Sequence, residues 1–164
     1  MWARVLGGTL ALVCVALAVS ACGGDDNDES GGPSAAVIEQ IDGICADWKD
    51  ALDERGDFPV DDFDPENPSP DDLPAVGEYF ASGESAAEEA IAELRRLSPP
   101  ADVEADVDAL VTALEQQLES AKVQAAAARA SDAAAFTATL PSASSSQEAV
   151  QEAADDLGTE GCAF

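Results

Sequence analysis

Apolar residues recur at steps of three and four along most of the chain after residue 34, which predicts amphipathic helices. The first helix is predicted to begin near Ser34 and to stop at Gly56, and the second to run from Asp72 to Ser98-Pro99-Pro100. Their apolar faces carry Val37, Ile38, Ile41, Ile44, Cys45, Trp48 and Leu52 in the first helix, and Val76, Tyr79, Phe80, Ala87, Ile91, Leu94 and Leu97 in the second.

Two further helices follow. The third is predicted from Val103 to Ala128, with acidic residues crowded at its start, where the helix dipole favours negative charge. The fourth keeps one apolar phase from Phe136 to Leu157 and is stopped by Gly158. Pro141 lies inside this segment, and the continuing phase indicates a single kinked helix, with a break into two pieces at the serines after the proline as the alternative.

The order of these elements predicts the fold class. Four amphipathic helices joined by short connections, with no strand-like alternation of any length, favour an all-α antiparallel bundle of about four helices. The bundle domain is predicted to span residues 34–164, which is enough chain to bury one core.

The first residues have the pattern of an export signal. Arg4 precedes an uncharged apolar stretch, which ends at Val19-Ser20-Ala21-Cys22. That tetrapeptide resembles the lipobox of bacterial lipoproteins, in which cleavage precedes the cysteine and the thiol carries a diacylglyceryl group. The expectation is a signal peptide at residues 1–21 and lipidation at Cys22, with a plain signal peptide or an uncleaved anchor as alternatives. The apolar stretch is shorter than the roughly 20 residues that a membrane-spanning helix needs.

Residues 22–33 contain glycine pairs, four carboxylates and almost no apolar side chain. Such a composition cannot bury a core and repels itself, so it predicts a flexible acidic tether whose role is spacing.

Charge and composition exclude several functions. The formal net charge of −27 repels nucleic acid, because proteins bind it mostly through Lys and Arg on phosphates. The absence of histidine removes Ser-His-Asp and Cys-His catalysis and histidine-ligated zinc. No glycine-rich phosphate loop is present, and the serines at 144–146 are interpreted as a solvated helix face. We therefore expect no enzymatic activity and no cofactor, and an enzyme that uses carboxylates alone is the last alternative, since 34 acids offer many pairs.

The four cysteines divide between export and folding. Cys14 would leave with the signal peptide and Cys22 would carry lipid, so Cys45 and Cys162 remain as a pair. In an exported protein such a pair predicts a disulfide, and a redox-active or metal-binding pair is the alternative.

The loop at residues 57–72 contains seven carboxylates and four prolines but no basic residue. Asp62, Asp64 and Glu66 alternate as calcium ligands do in an EF-hand, but Asn67 and Leu73 stand where that loop needs glycine and glutamate. The favoured interpretation is a solvated, proline-rich connector with Phe58 and Phe63 packed on the bundle. No metal site is expected, and these three acids are weak candidates for cation binding.

Two short features have a structural and a functional interpretation. Arg55-Gly56-Asp57 matches an integrin-binding tripeptide, but a helix stop explains its glycine. Trp48 near Cys45 is interpreted as a core residue, with a ligand pocket as the alternative.

Taken together, these motifs resemble a group of small actinobacterial lipoproteins of uncharacterised function. The matching features are the lipobox, the acidic tether, Cys45 with Trp48, the Leu94, Leu97, Pro99, Pro100 junction, Ser131-Asp132, and Leu157-Gly158 followed by Cys162. The resemblance covers the whole chain and implies a scaffold without implying an activity.

The functional hypothesis is a non-enzymatic interaction or structural module of the cell envelope. It would be held to the extracytoplasmic face of the cell membrane by the lipid on Cys22, and its protein partner in the envelope is not identified by the sequence. The alternative is a protein that binds divalent cations or a small ligand, through the loop at 57–72 or a pocket between helices.

Overall fold

A computed structural model describes residues 33–159 together with 161 and 162, and this part of the chain is all-helical. It contains five helices and no strand: α1 (Pro33–Asp53), α2 (Leu73–Ser82), α3 (Glu84–Leu94), α4 (Glu104–Arg129) and α5 (Ala133–Leu157). The predicted all-α bundle is confirmed.

The prediction of one continuous second helix was wrong, because the segment divides into α2 and α3 at Gly83. A Cβ atom at this buried glycine would lie 2.8 Å from the Nη1 atom of Arg55 and 3.0 Å from Cδ2 of Leu52, so these two side chains would have to move to make room for it. Gly83 therefore lets the end of α1 approach the α2–α3 junction closely.

The fourth predicted helix is one continuous helix, since α5 runs through Pro141 without a break. It begins where the carboxylate of Asp132 accepts a hydrogen bond from the backbone N–H of Ala135 at 2.9 Å. It ends at Gly158, whose φ of +77° is the left-handed conformation expected of a helix-stopping glycine.

The core consists of two clusters. The larger joins α1, α3, α4 and α5 and includes Ile41, Cys45, Leu94, Leu110, Leu114, Ala154 and Cys162, all nearly inaccessible to solvent. The smaller contains Leu73, Val76, Ala128 and Phe136, against which Phe58, Val60, Phe63 and Phe80 pack. The loop after α1 thus covers one end of the bundle and extends the core there.

Three ion pairs join α4 to α2, α3 and the residue that follows α3. Arg129 contacts Glu78 at 3.1 Å, Lys122 contacts Glu88 at 2.6 Å, and Arg95 pairs with Glu115. The hydrogen bond to Glu88 raises the pKa of the Lys122 ammonium group above its usual value. Three of the few basic residues in this acidic chain are therefore used to hold α4 against the α2–α3 segment.

Candidate functional site

The predicted disulfide is the first site that the structure brings together. Cys45 in α1 and Cys162 in the tail are bonded, with their Cα atoms 5.0 Å apart across a sequence separation of 117. The tail is also held by the carboxylate of Asp42, which accepts hydrogen bonds from the Gly161 N–H at 3.0 Å and from the Thr159 hydroxyl. Cys22, the predicted lipidation site, lies outside the described residues.

The three weak cation candidates are not gathered into a site. Asp62, Asp64 and Glu66 are exposed, and the carboxylate of Asp64 accepts hydrogen bonds from the N–H groups of Glu66 at 3.0 Å and Asn67 at 3.3 Å. These bonds close a local turn. Within the described ranges, no group of three or more His, Cys, Asp or Glu side chains is arranged to hold a metal ion.

The aromatic residues of the same loop behave as predicted. The ring of Phe63 packs edge-on against Phe136 with 5.9 Å between centroids, and Phe58 packs against Tyr79 at 5.2 Å. Both phenylalanines are half-buried on the smaller core cluster. This loop is a connector that seals one end of the bundle.

A long depression runs between α4 and α5 on the outside of the bundle, and we name it the α4–α5 groove. Two adjoining hollows of about 540 and 480 Å³ form it, and Gln116 belongs to both. Small buried residues make its floor, namely Ala113, Ser120, Ser146 and Ala153. Other lining residues on α4 are Ala105, Asp108, Ala109, Thr112, Gln116, Glu119 and Val123, and on α5 Ala138, Thr139, Ser142, Ser145, Ala149, Glu152 and Asp156.

The lining of the α4–α5 groove is acidic. Four carboxylates contribute to it, from Asp108 and Glu119 on α4 and from Glu152 and Asp156 on α5, and no lysine or arginine does. Val123 lies at one end and is 50% exposed, which is unusual for a large apolar side chain in this structure. The groove therefore combines small side chains, an apolar end and negative charge.

Ser120 on the groove floor differs from the hydroxyl groups around it. The hydroxyls of Thr139 and Ser146 donate to backbone carbonyls of their own helix, at 2.6 and 2.9 Å. Ser120 is only 9% exposed, and its Oγ atom has no hydrogen-bond partner in the described part of the chain. A buried hydroxyl without a partner is costly, and this oxygen lies beneath the surface of the groove floor.

A separate hollow, of about 150 Å³, lies between α1, the α2–α3 junction and α4, and we name it the Trp48 cavity. Its lining is mostly apolar, and it includes Arg55 from the end of α1. The guanidinium carbon of Arg55 lies 4.5 Å from the centre of the Tyr79 ring. Arg55 is therefore packed against the bundle, which argues against display of the Arg55-Gly56-Asp57 tripeptide as an adhesive loop.

Sequence reasoning missed the α4–α5 groove. It interpreted the serines at 144–146 as a solvated helix face, and for Ser146 this was wrong because that residue is only 7% exposed on the groove floor. Small polar residues carry little hydropathy signal, since they are found both on surfaces and between closely packed helices. The available signal was the spacing of small residues at three and four along both α4 and α5.

No helix among the described residues is long and apolar enough to span a membrane. Comparison with known proteins gives no match to this chain, whether with family models, curated proteins or solved structures.

Proposed function

We propose that this protein is a lipid-anchored, extracytoplasmic interaction module of the cell envelope, without enzymatic activity of its own. The export signal ending at Val19-Ser20-Ala21-Cys22 supports the location. The Cys45–Cys162 disulfide also supports it, since such bonds persist mainly in oxidising compartments outside the cytoplasm.

The observation that carries the interaction role is the α4–α5 groove. On α4 it extends from Ala105 to Val123, which corresponds to about 27 Å of helix at 1.5 Å per residue. Its floor of alanine and serine allows another helix to approach closely, because no large side chain separates the two backbones. An amphipathic helix lying in such a groove is a common mode of protein recognition.

The charge of the groove defines the chemistry of the partner. Its lining carries carboxylates without a base, and the whole chain has a formal net charge of −27. Like charges would be repelled, whereas a basic partner would be attracted over a distance and would approach faster. The occupant is therefore an amphipathic helix of a partner protein, with small apolar residues along its buried face and Lys or Arg at its edges.

Photo-crosslinking on intact cells tests this function. A photoreactive residue at Thr112 or Ser145, both on the groove, should give a discrete crosslinked product, whereas one at exposed Ala46 on α1 should not. Mass spectrometry of the crosslinked peptide should find a helical segment rich in Lys and Arg. Equal crosslinking at Ala46, or crosslinks that join two copies of this chain, would contradict the proposal.

A pair of lysine variants tests whether the crosslinks depend on the groove, one with lysines in the groove and one with a lysine outside it. Thr112→Lys combined with Ser145→Lys adds two positive charges and fills part of the groove, so the crosslinked product should fall at least tenfold. Ala46→Lys changes the net charge on α1 and should leave the product unchanged. A similar loss in both variants would mean that overall charge, and not the groove, governs the contact.

Anchoring is tested separately. Intact-mass analysis of the membrane fraction should show a chain that begins at Cys22 and carries acyl mass. Cys22→Ala should release the protein or leave an unprocessed precursor. A mature chain that begins at Met1 would contradict lipid anchoring, while the groove proposal would still be tested by the crosslinks.

A further inference from the structure

The Trp48 cavity is lined by large apolar side chains that remain half-exposed. Trp48, Leu52, Phe80 and Leu118 all face it, and each is only partly buried. Protein interiors are close-packed and leave few voids larger than a water molecule. Apolar side chains of this size around an unfilled space are therefore more typical of a ligand pocket than of a finished core.

Small residues create the space. Ala87 in α3 and Ala121 in α4 line the cavity together with the large side chains, and Gly83 borders it at the α2–α3 junction, where the end of α1 packs closely. A leucine at either alanine position would occupy much of a hollow of about 150 Å³. The cavity thus results from the break between α2 and α3 together with small residues on the two helices that face it.

Arg55 is one of three polar residues that line the cavity, with Glu84 and Gln117, and it is the positively charged hydrogen-bond donor among them. Its Nε–H donates to the carbonyl of Leu52 at 2.9 Å, and its Nη1 donates to the carbonyl of Tyr79 at 3.3 Å. These bonds use two of the five N–H groups of a guanidinium. No carboxylate lies within ion-pair distance of Arg55 among the residues that the structure describes. Arg55 is therefore held in position with donors left for an additional acceptor.

We infer that the Trp48 cavity binds a small neutral apolar molecule, about the size of one six-membered ring, that accepts a hydrogen bond from Arg55. The size follows from the volume, because an apolar protein cavity of about 150 Å³ accepts benzene. The ligand is neutral because Glu84 also lines the cavity and the net charge of −27 repels anions. A cation would be repelled by the positively charged guanidinium of Arg55. This inference goes beyond the proposed interaction role, and its site lies on a different face of α4 from the groove.

Trp48 provides the measurement. In the full chain with Trp2→Phe, Trp48 is the single indole, and its fluorescence reports on the cavity wall directly. Cyclohexanol should change this fluorescence saturably, with a dissociation constant on the order of millimolar for so few atoms. Cyclohexylammonium, of the same size but without an acceptor, should give no saturable change. Cyclohexanecarboxylate should bind at least threefold more weakly than cyclohexanol at low salt.

Two leucine substitutions on α4 separate a site from a general solvent effect. Ala121→Leu fills the cavity and should abolish the saturable change, whereas Ala126→Leu, at an exposed position outside the cavity lining, should keep it. Arg55→Met should weaken cyclohexanol binding about tenfold, because it removes the hydrogen-bond donor but keeps the apolar contacts of the site. A linear fluorescence response, or equal responses to cyclohexanol and cyclohexylammonium, would overturn the inference.

Thermal unfolding shows whether each variant is folded and gives a second measurement of binding. A ligand that binds only the folded state raises the melting temperature with its concentration. Cyclohexanol should therefore raise the melting temperature of the wild type and of Ala126→Leu, but not that of Ala121→Leu or, at the same concentration, Arg55→Met. If all four chains respond alike, the Trp48 cavity is not a binding site.

Discussion

At the scale of single residues, Gly77 decides how closely α2 packs on α4. A Cβ atom at this buried position would lie 2.7 Å from the backbone nitrogen of Arg129 and 2.9 Å from the carbonyl oxygen of Ala125. These are backbone atoms in the last turns of α4, so they cannot move aside as a flexible side chain would. The absence of a side chain at Gly77 therefore sets the distance between the two helices.

Replacement of Gly77 by alanine should destabilise the protein by about 1–3 kcal/mol, the usual cost of overpacking. Gly43→Ala in α1 is the matched control, because a Cβ there has no neighbour within 4 Å. That substitution should stabilise by about 0.5–1 kcal/mol through the better helix propensity of alanine. Urea unfolding followed by circular dichroism measures both. Changes of the same sign in the two variants would contradict this account of Gly77.

Some residues were predictable because their role depends on local sequence. Gly56 and Gly158 both adopt positive φ, +81° and +77°, after the helices that they were predicted to stop. Cys45 and Cys162 were paired by elimination among four cysteines. The roles of Gly77 and Gly83 were not predictable, since they depend on which distant backbone or side chain lies opposite, and a periodic pattern does not identify it.

At the scale of elements, α5 is a helix that tolerates an internal proline. Pro141 is exposed, so its ring meets solvent on the outer side of the helix. It has no N–H to donate to the preceding turn, and a proline in a helix interior typically costs about 3 kcal/mol relative to alanine. The surrounding contacts of α5, including buried Phe136 and Val150, maintain the helix despite this cost.

Pro141→Ala should therefore stabilise the protein, by about 1–3 kcal/mol, because it restores a backbone hydrogen bond within α5. Ser144→Ala, also exposed in α5, changes propensity alone and should give less than about 1 kcal/mol. Denaturant midpoints at a constant m-value provide the comparison. A loss of stability in Pro141→Ala would mean that the backbone geometry imposed by the proline is required for the packing of α5.

The approximate positions of the helices followed from periodicity, but their number and breaks did not, since about four helices were predicted and five are observed. The apolar phase continues across Gly83, so nothing in the pattern separates α2 from α3. The apolar phase that continues across Pro141 did indicate one helix there, and the break suggested by the proline and the serines after it does not occur. The α4–α5 groove depends on two helix faces that meet in space, which is why neither segment indicated it alone.

At the scale of the whole molecule, the disulfide closes a loop across a separation of 117 residues. In the chain-entropy model such a closure stabilises the fold by about 4–5 kcal/mol. Reduction should therefore lower the melting temperature strongly. Cys45→Ser with Cys162→Ser is the control, since reductant should have no further effect on it. Peptide mapping without reductant should recover the two cysteines joined, and free thiols at both positions in exported protein would contradict the pairing.

The acid excess should make stability depend on salt. Glu104 and Asp108 are four residues apart in α4, a spacing at which like charges destabilise a helix. Asp102 and Asp106 have the same spacing, but Asp102 precedes α4 and accepts a hydrogen bond from Ser34 at 2.6 Å. Raising sodium chloride from about 0.05 to 0.5 M should still increase the melting temperature by about 3–6 °C through screening. A decrease would mean that the ion pairs on α4 outweigh the repulsion.

Calcium should add little to this general effect. Asp64 already uses its carboxylate to hold the turn of its own loop, and its neighbours are not arranged around a common point. Millimolar calcium should shift the melting temperature only slightly more than sodium at matched ionic strength. A large calcium-specific shift, abolished by Asp62→Asn with Asp64→Asn, would instead favour the cation-binding alternative.

The position of Cys45 in the middle of α1 also has a mechanical consequence. Tension between a membrane anchor at Cys22 and a partner held on α5 would enter through the start of α1. Only about three turns, from Pro33 to Cys45, lie before the first covalent crosslink. Beyond it, the load would pass through Cys162 and the short tail straight to α5. With the proposed anchor and partner, the rest of α1, together with α2, α3 and the Trp48 cavity, would lie outside the main path of the force, and a pull would not load the centre of the bundle directly.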